Sequence, residues 1–178
     1  YSADPTRASV ALTVVDDQAI AFATFQSHNQ KVVANQHGVF ATYVHKSNQD
    51  YTGQLWRLVR SVDGGQTFAT VYEDLHATSA PAMETDVNGK LYLGYPDFLS
   101  GKAHVLRVSP PETSVESTTE LNGGAAGKYC MLLDARRQQL YWFSHDNTFF
   151  TVGMTGEVRR RLQLLKAGAN AYLQYPHL

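Results

Sequence analysis

Four of the seven histidines, His28, His45, His76 and His145, stand beside Asn, Tyr and Asp in segments whose composition marks them as loops or strand ends. Imidazole moves protons near neutral pH, and Tyr, Asn and Asp hydrogen-bond the hydroxyls of sugars. His28, in Ser27-His28-Asn29-Gln30, and His45 and Tyr43, two residues apart in Tyr43-Val44-His45, are the candidate catalytic groups. Asn29, His76, Tyr95, Asp97, His145, Asp146 and Asn170 complete a candidate binding surface. Asp50, Asp97 and Asp146 could supply a carboxylate pair, and glycoside hydrolysis needs such a pair about 5–10 Å apart. Neither His-x-His nor Cys-x-x-Cys occurs, so no metal and no cofactor is expected. The lone Cys130, in the apolar run Tyr129-Cys130-Met131-Leu132-Leu133, reads as a buried inert thiol and excludes an internal disulfide framework.

Strands must position these groups. Charged residues are sparse at 17%, and the chain holds ten Tyr among many Thr and Val, which suits sheets better than helices. Three segments align: Val39–His45, Leu91–Asp97 and Leu140–Asp146. The first two follow Asn35-Gln36-His37-Gly38 and Asp86-Val87-Asn88-Gly89-Lys90, and the third follows Asp134-Ala135-Arg136-Arg137-Gln138. An apolar stretch precedes each of these turns, so each repeat opens as a hairpin. Third strands are expected at Leu55–Arg60, His104–Val108 and Thr148–Val152, and fourth strands at Ala69–Tyr72, Ser114–Thr119 and Val158–Leu165. Four strands in a period near fifty residues predict propeller blades.

The fold class expected is all-β, part of a β-propeller, in one domain. Blades are expected at 26–76, 77–121 and 122–168, with 1–25 ending an earlier blade and 169–178 starting a fourth. The run Ala8–Val15 reads as a strand of the first fragment and Tyr172–Leu178 as the opening strand of the last. Open terminal blades leave apolar faces and edge strands uncovered, so the remaining blades are expected from the same or a second polypeptide, or from self-association.

Between the third and fourth strands of the first repeat lies Ser61-Val62-Asp63-Gly64-Gly65-Gln66-Thr67-Phe68. It resembles the Asp box, Ser-x-Asp-x-Gly-x-Thr-aromatic, of the neuraminidase-repeat propellers to which sialidases belong. The resemblance covers most of the chain as blade pattern, but only this repeat carries the box. It implies a structural role for Ser61, Asp63, Gly65, Thr67 and Phe68, on the face away from an active site. The sialidase Arg-Ile-Pro is absent, and neither the arginine triad nor the Tyr–Glu pair maps onto this sequence. A second, shorter resemblance joins Ser27–Val33 and the strand ending near Tyr43 and His45 to the entry blade of propeller polysaccharide lyases. Those enzymes act on uronic-acid polymers, abstracting and donating protons with His and Tyr while a cation neutralises the carboxylate; this resemblance implies His28 as the base, with His45 or Tyr43 in support.

Three functions therefore stand: a glycan-binding or glycan-processing sialidase-like propeller, a lyase-like enzyme, and a non-catalytic interaction propeller. Whether the chain is an enzyme stays open. A carbohydrate ligand and a secreted, cell-surface or periplasmic location are the expectations. Net charge is −1 and Arg159-Arg160-Arg161 is the one basic run, so nucleic acid is not an expected partner. No stretch of 18 apolar residues predicts a membrane span.

Overall fold

The computed structural model describes residues 12–21, 23–24, 28–46, 54–97, 99–110, 114–125 and 128–164. The described residues contain no helix, and so none long and apolar enough to cross a membrane. Twelve strands form three four-stranded antiparallel sheets in chain order. The first sheet holds β1 (Val32–Asn35), β2 (Gly38–Lys46), β3 (Gln54–Ser61) and β4 (Ala69–Ala77). The second holds β5 (Ala82–Thr85), β6 (Leu91–Asp97), β7 (Lys102–Ser109) and β8 (Ser114–Asn122). The third holds β9 (Tyr129–Asp134), β10 (Gln139–Ser144), β11 (Thr148–Gly153) and β12 (Val158–Gln163).

The fold is all-β and blade-like, and it repeats down to single residues. Asn35, Asp86 and Asp134 each end the first strand of a sheet, or lie one residue past it. Each accepts a hydrogen bond from a turn amide: His37 at 2.8 Å, Asn88 at 2.9 Å and Arg137 at 3.0 Å. Asx side chains close turns in this way, which is why these residue types recur there. The third and fourth strands of every sheet share a register shift at the equivalent place, after Leu58, Arg107 and Thr151, and the first sheet has a second shift between Gln54 and Trp56. Val71, Glu116 and Arg159 are the corresponding bulge residues, and such bulges increase the local twist of a strand.

Alternation along the strands sends apolar residues to both faces of the middle sheet. Phe40, Trp56 and Leu58 pack on Met83, Leu91, Leu93, Tyr95 and Leu106 between the first and second sheets. Tyr92, Val105 and Leu121 pack on Tyr129, Met131, Trp142, Phe150 and Val152 between the second and third. The first strands β1, β5 and β9 neighbour one another, and the Met83 amide donates to the Gln30 carbonyl at 2.9 Å. They therefore line the common inner side, leaving β4, β8 and β12 outermost.

Within the expected strand Ala8–Val15, residues 12–15 form no strand, and residues 8–11 lie outside the described residues. Residues 12–21 and 23–24 instead run as turns across the free face of the first sheet, tied by Val44 N–H to Ala23 C=O (2.9 Å) and by Thr13 Oγ1–H to Gln66 C=O (3.3 Å). The expected strand Tyr172–Leu178 also lies outside the described residues.

Candidate functional site

The Asp box forms a closed turn. Asp63 Oδ1 accepts from the Ser61 hydroxyl (2.7 Å) and from the amides of Gln66 (3.0 Å) and Thr67 (2.9 Å), while Oδ2 takes the Thr67 hydroxyl at 2.6 Å. Ser61 Oγ in turn accepts from the Gly65 amide at 2.8 Å. Gly64 and Gly65 have φ of 73° and 91°, which residues with a Cβ adopt only at a cost. The Thr67 and Ser61 hydroxyls and the Thr67 amide hold the Asp63 carboxyl well below the usual carboxylate range. Phe68 is half-buried. Every Asp63 bond is local, so the side chain fixes a turn.

At the opposite end of the strands, the segment entering β1 reaches the other two sheets. His28 Nε2 lies 2.9 Å from the Tyr129 carbonyl oxygen, and Asn29 Nδ2 donates to the same oxygen at 2.8 Å. Lys31 Nζ donates to the Ala80 carbonyl at 2.6 Å and stands 5.7 Å from the centroid of the Tyr129 ring. Asn29 is only 4% exposed and Lys31 7%, whereas His28 is half-buried. Lys31 makes no ion pair with a carboxylate of the described residues. Burial lowers its ammonium to about 7, with Cys130 opposing weakly. The inner end of this structure thus holds an imidazole, a buried amide and an amine that loses its proton near neutrality.

Tyr43 and His45 meet elsewhere. Both point to the free face of the first sheet, where Asp16 Oδ2 accepts from the Tyr43 hydroxyl at 2.8 Å and lies 2.6 Å from His45 Nδ1. Arg57 Nη1 stands 3.3 Å from the same oxygen, and its Nε donates to Glu73 at 3.0 Å. The alternation of β2 places Tyr43 opposite Arg57 and Arg57 opposite Glu73 across the ladder. Burial works against the Asp16 charge, but the Gln18 amide, the Tyr43 hydroxyl and the His45 ring outweigh it and bring the carboxyl down to about 2. Burial and Asp16 push the Tyr43 phenol up to about 12. A cavity of about 380 Å³ adjoins this cluster, lined by Val14, Val15, Ala19, Ala23, Val32 and Ala41 among others.

No protein-family model matches this chain, and no curated protein matches it as a relative. What the site can do therefore rests on its own geometry.

The remaining candidates divide by what holds them. Asp97 accepts from the Leu99 amide at 2.9 Å and faces His104 at 3.6 Å; burial opposes its charge, and the Ser100 hydroxyl and turn amides hold it low. Asp146 bonds the Ser144 hydroxyl, the Thr148 amide (3.0 Å) and the Gly124 amide (3.3 Å), pinning the β10–β11 turn to the segment after β8. Tyr95 stacks on His104 at 5.3 Å and donates to Asp74 at 3.3 Å. His76 is exposed with φ of 76°, and the His145 amide donates to the Lys128 carbonyl at 2.8 Å. Asn170 and Asp50 lie outside the described residues. Among the described residues no three His, Cys, Asp or Glu side chains are grouped to hold a metal.

Asp16, Arg57, Lys31 and Tyr129 are site residues that the sequence reading passed over. Position in the repeat was the one signal for Lys31: it corresponds to Ala82 and Cys130 on β5 and beside Tyr129 on β9, a charged residue where the other repeats are apolar.

Proposed function

We propose that this chain is part of a neuraminidase-repeat, sialidase-like propeller that binds or acts on glycans at the end of its blades opposite the Asp box. The observation that carries this reading is the convergence of His28 and Asn29 on the Tyr129 carbonyl oxygen, about a hundred residues away in sequence. It gathers polar groups of the first sheet onto the inner strand of the third, at the end remote from Asp63. His28 is half-buried and so able to meet a sugar hydroxyl, while Asn29 and Lys31 are buried. The test is titration of the protein with neutral and uronic-acid oligosaccharides, followed by His28→Ala. Loss of binding at unchanged melting temperature supports the reading; binding of neither class overturns it.

A lyase-like reaction on uronic-acid polymers is the second reading, favoured by the cluster of Tyr43, His45 and Arg57 around Asp16. Phenol and imidazole are the proton-transfer groups this chemistry uses, and the Arg57 guanidinium, 25% exposed, is a cation for the substrate carboxylate. Abstraction of the proton beside the carboxylate and departure of the neighbouring glycosidic oxygen would leave an unsaturated uronate. Ultraviolet absorbance of a polyuronate digest reports that product. Its formation by the wild type, together with its absence from His45→Ala and Tyr43→Phe, is the expected result. Product from both variants at the wild-type rate would remove the cluster from the chemistry.

A further inference from the structure

The outermost strands of the three sheets differ in charge. β4 carries Glu73 and Asp74, and β8 carries Glu116 and Glu120. Three of these four carboxylates pair with a base on a neighbouring strand or turn: Arg57 with Glu73 at 3.0 Å, Lys90 with Glu116 at 2.6 Å, and Lys102 with Glu120. In β12 the sign is reversed. Val158-Arg159-Arg160-Arg161-Leu162-Gln163 has three guanidiniums and no carboxylate, and its neighbour β11, Thr148–Gly153, has none either.

The partners that would neutralise this strand are accordingly few. Arg159 pairs with Glu157 at 2.7 Å. Arg161 places its guanidinium 5.8 Å from the Phe150 ring centroid, a contact that leaves its N–H edge available. Arg160 makes no ion pair or hydrogen bond through its side chain among the described residues. All three are exposed. The bulge at Arg159 re-aims its side chain relative to strict strand alternation. Along the strand, Arg159 and Arg161 are separated by roughly 7 Å, two residues of extended rise.

We propose that β12 is a binding strip for an anionic polysaccharide, whose carboxylate or sulfate groups are taken by Arg159, Arg160 and Arg161. Guanidinium forms bidentate, charge-assisted hydrogen bonds to such planar or polyoxygen anions, and a row of them on an extended strand matches an extended chain with repeating charge. Nucleic acid fits less well. Single strands are held by bases stacked on exposed aromatic rings, and β12 has no aromatic residue. Duplexes need a broad basic footprint, whereas this chain has net charge −1. The strip lies on the outer edge of the third sheet and involves none of His28, Asn29, Tyr43 or His45, so it stands or falls apart from the site described above.

The experiment measures binding of heparin, polygalacturonate, neutral dextran and single-stranded DNA to the full chain at two salt concentrations. Heparin or polygalacturonate binds the wild type and weakens as salt rises, while dextran does not bind. The double variant Arg160→Gln/Arg161→Gln loses about tenfold or more in affinity, as expected for charge-assisted contacts. Lys90→Gln/Lys102→Gln, which removes the same charge from the second sheet, stays near wild type. Because the wild-type polymer and salt series needs no variant, a misfolded double variant cannot rescue the idea. Failure of both acidic polysaccharides to bind at low salt, equal loss in the two double variants, or DNA binding tighter than either polysaccharide would overturn it.

Discussion

The Tyr129 hydroxyl lies 2.9 Å from the Gly94 carbonyl oxygen, so a phenol at the start of β9 caps the middle of β6 in the neighbouring sheet. The Tyr129 hydroxyl oxygen also accepts the Ala82 amide at 2.9 Å. Its ring stacks on Trp142 with centroids 4.4 Å apart. Gly94 makes room for this packing, since a Cβ there would fall 2.6 Å from Met131 Sδ and 2.8 Å from Trp142 Cζ3. Removing the hydroxyl leaves a buried N–H without its acceptor. Tyr129→Phe is therefore expected to cost about 1–3 kcal/mol in urea unfolding, the range for an orphaned buried polar group. Gly94→Ala is expected to cost a similar 1–3 kcal/mol through overpacking. A Tyr129→Phe midpoint equal to wild type would show that the bond contributes nothing net.

The Asp box is expected to act on stability alone. Asp63→Ala deletes the acceptor of four hydrogen bonds that close one turn. Calorimetry should show a fall in melting temperature of roughly 3–8 °C, typical of losing one turn's anchor in a domain of this size. Any glycan affinity per folded molecule should not change. Reduced affinity with unaltered melting would move Asp63 from scaffold to site.

The fold was legible where local chemistry forces it. Asn35, Asp86 and Asp134 announce the inner hairpins because Asx side chains close turns, and the Asp63 turn carries all its partners within four residues. The Val158–Leu165 stretch, with three successive arginines, reads as strand, and β12 occupies Val158–Gln163. The site was half legible. Strand alternation sorts loops to ends of the sheets, which is why His28 and Asn29 stand out. It does not say that they share an oxygen on Tyr129, because that pairing depends on how two sheets pack. Nor does it find Asp16, which sits in a segment of no regular structure and meets Tyr43, His45 and Arg57 from 27, 29 and 41 residues away.

The last prediction concerns pH, and it turns on two groups. Glu84 is pushed by burial from 4.5 up to about 7, with the Leu133 amide opposing. Lys31 is pushed by burial from 10.5 down to about 7, with Cys130 opposing. Between pH 4.5 and 7 the folded Glu84 holds a proton that the unfolded chain gives up, so folding is favoured at the acid side and stability falls as pH rises. Between pH 7 and 10.5 the unfolded Lys31 holds a proton that the folded chain has lost, so stability rises with pH. The two slopes meet near neutrality and produce a minimum in stability there, opposite to the usual maximum between about pH 5 and 8. Urea midpoints measured from pH 5 to 9.5 should trace this valley, before tyrosine ionisation intrudes. Glu84→Gln should flatten the acid limb and leave the alkaline one. Lys31→Met should do the reverse and raise stability at pH 7, because it removes a buried amine whose charge costs free energy to bury. A wild-type curve that peaks at neutrality, with neither variant altering its slopes, would mean that the amine and the carboxyl are solvated in the folded protein and that the inner strands do not close over Lys31.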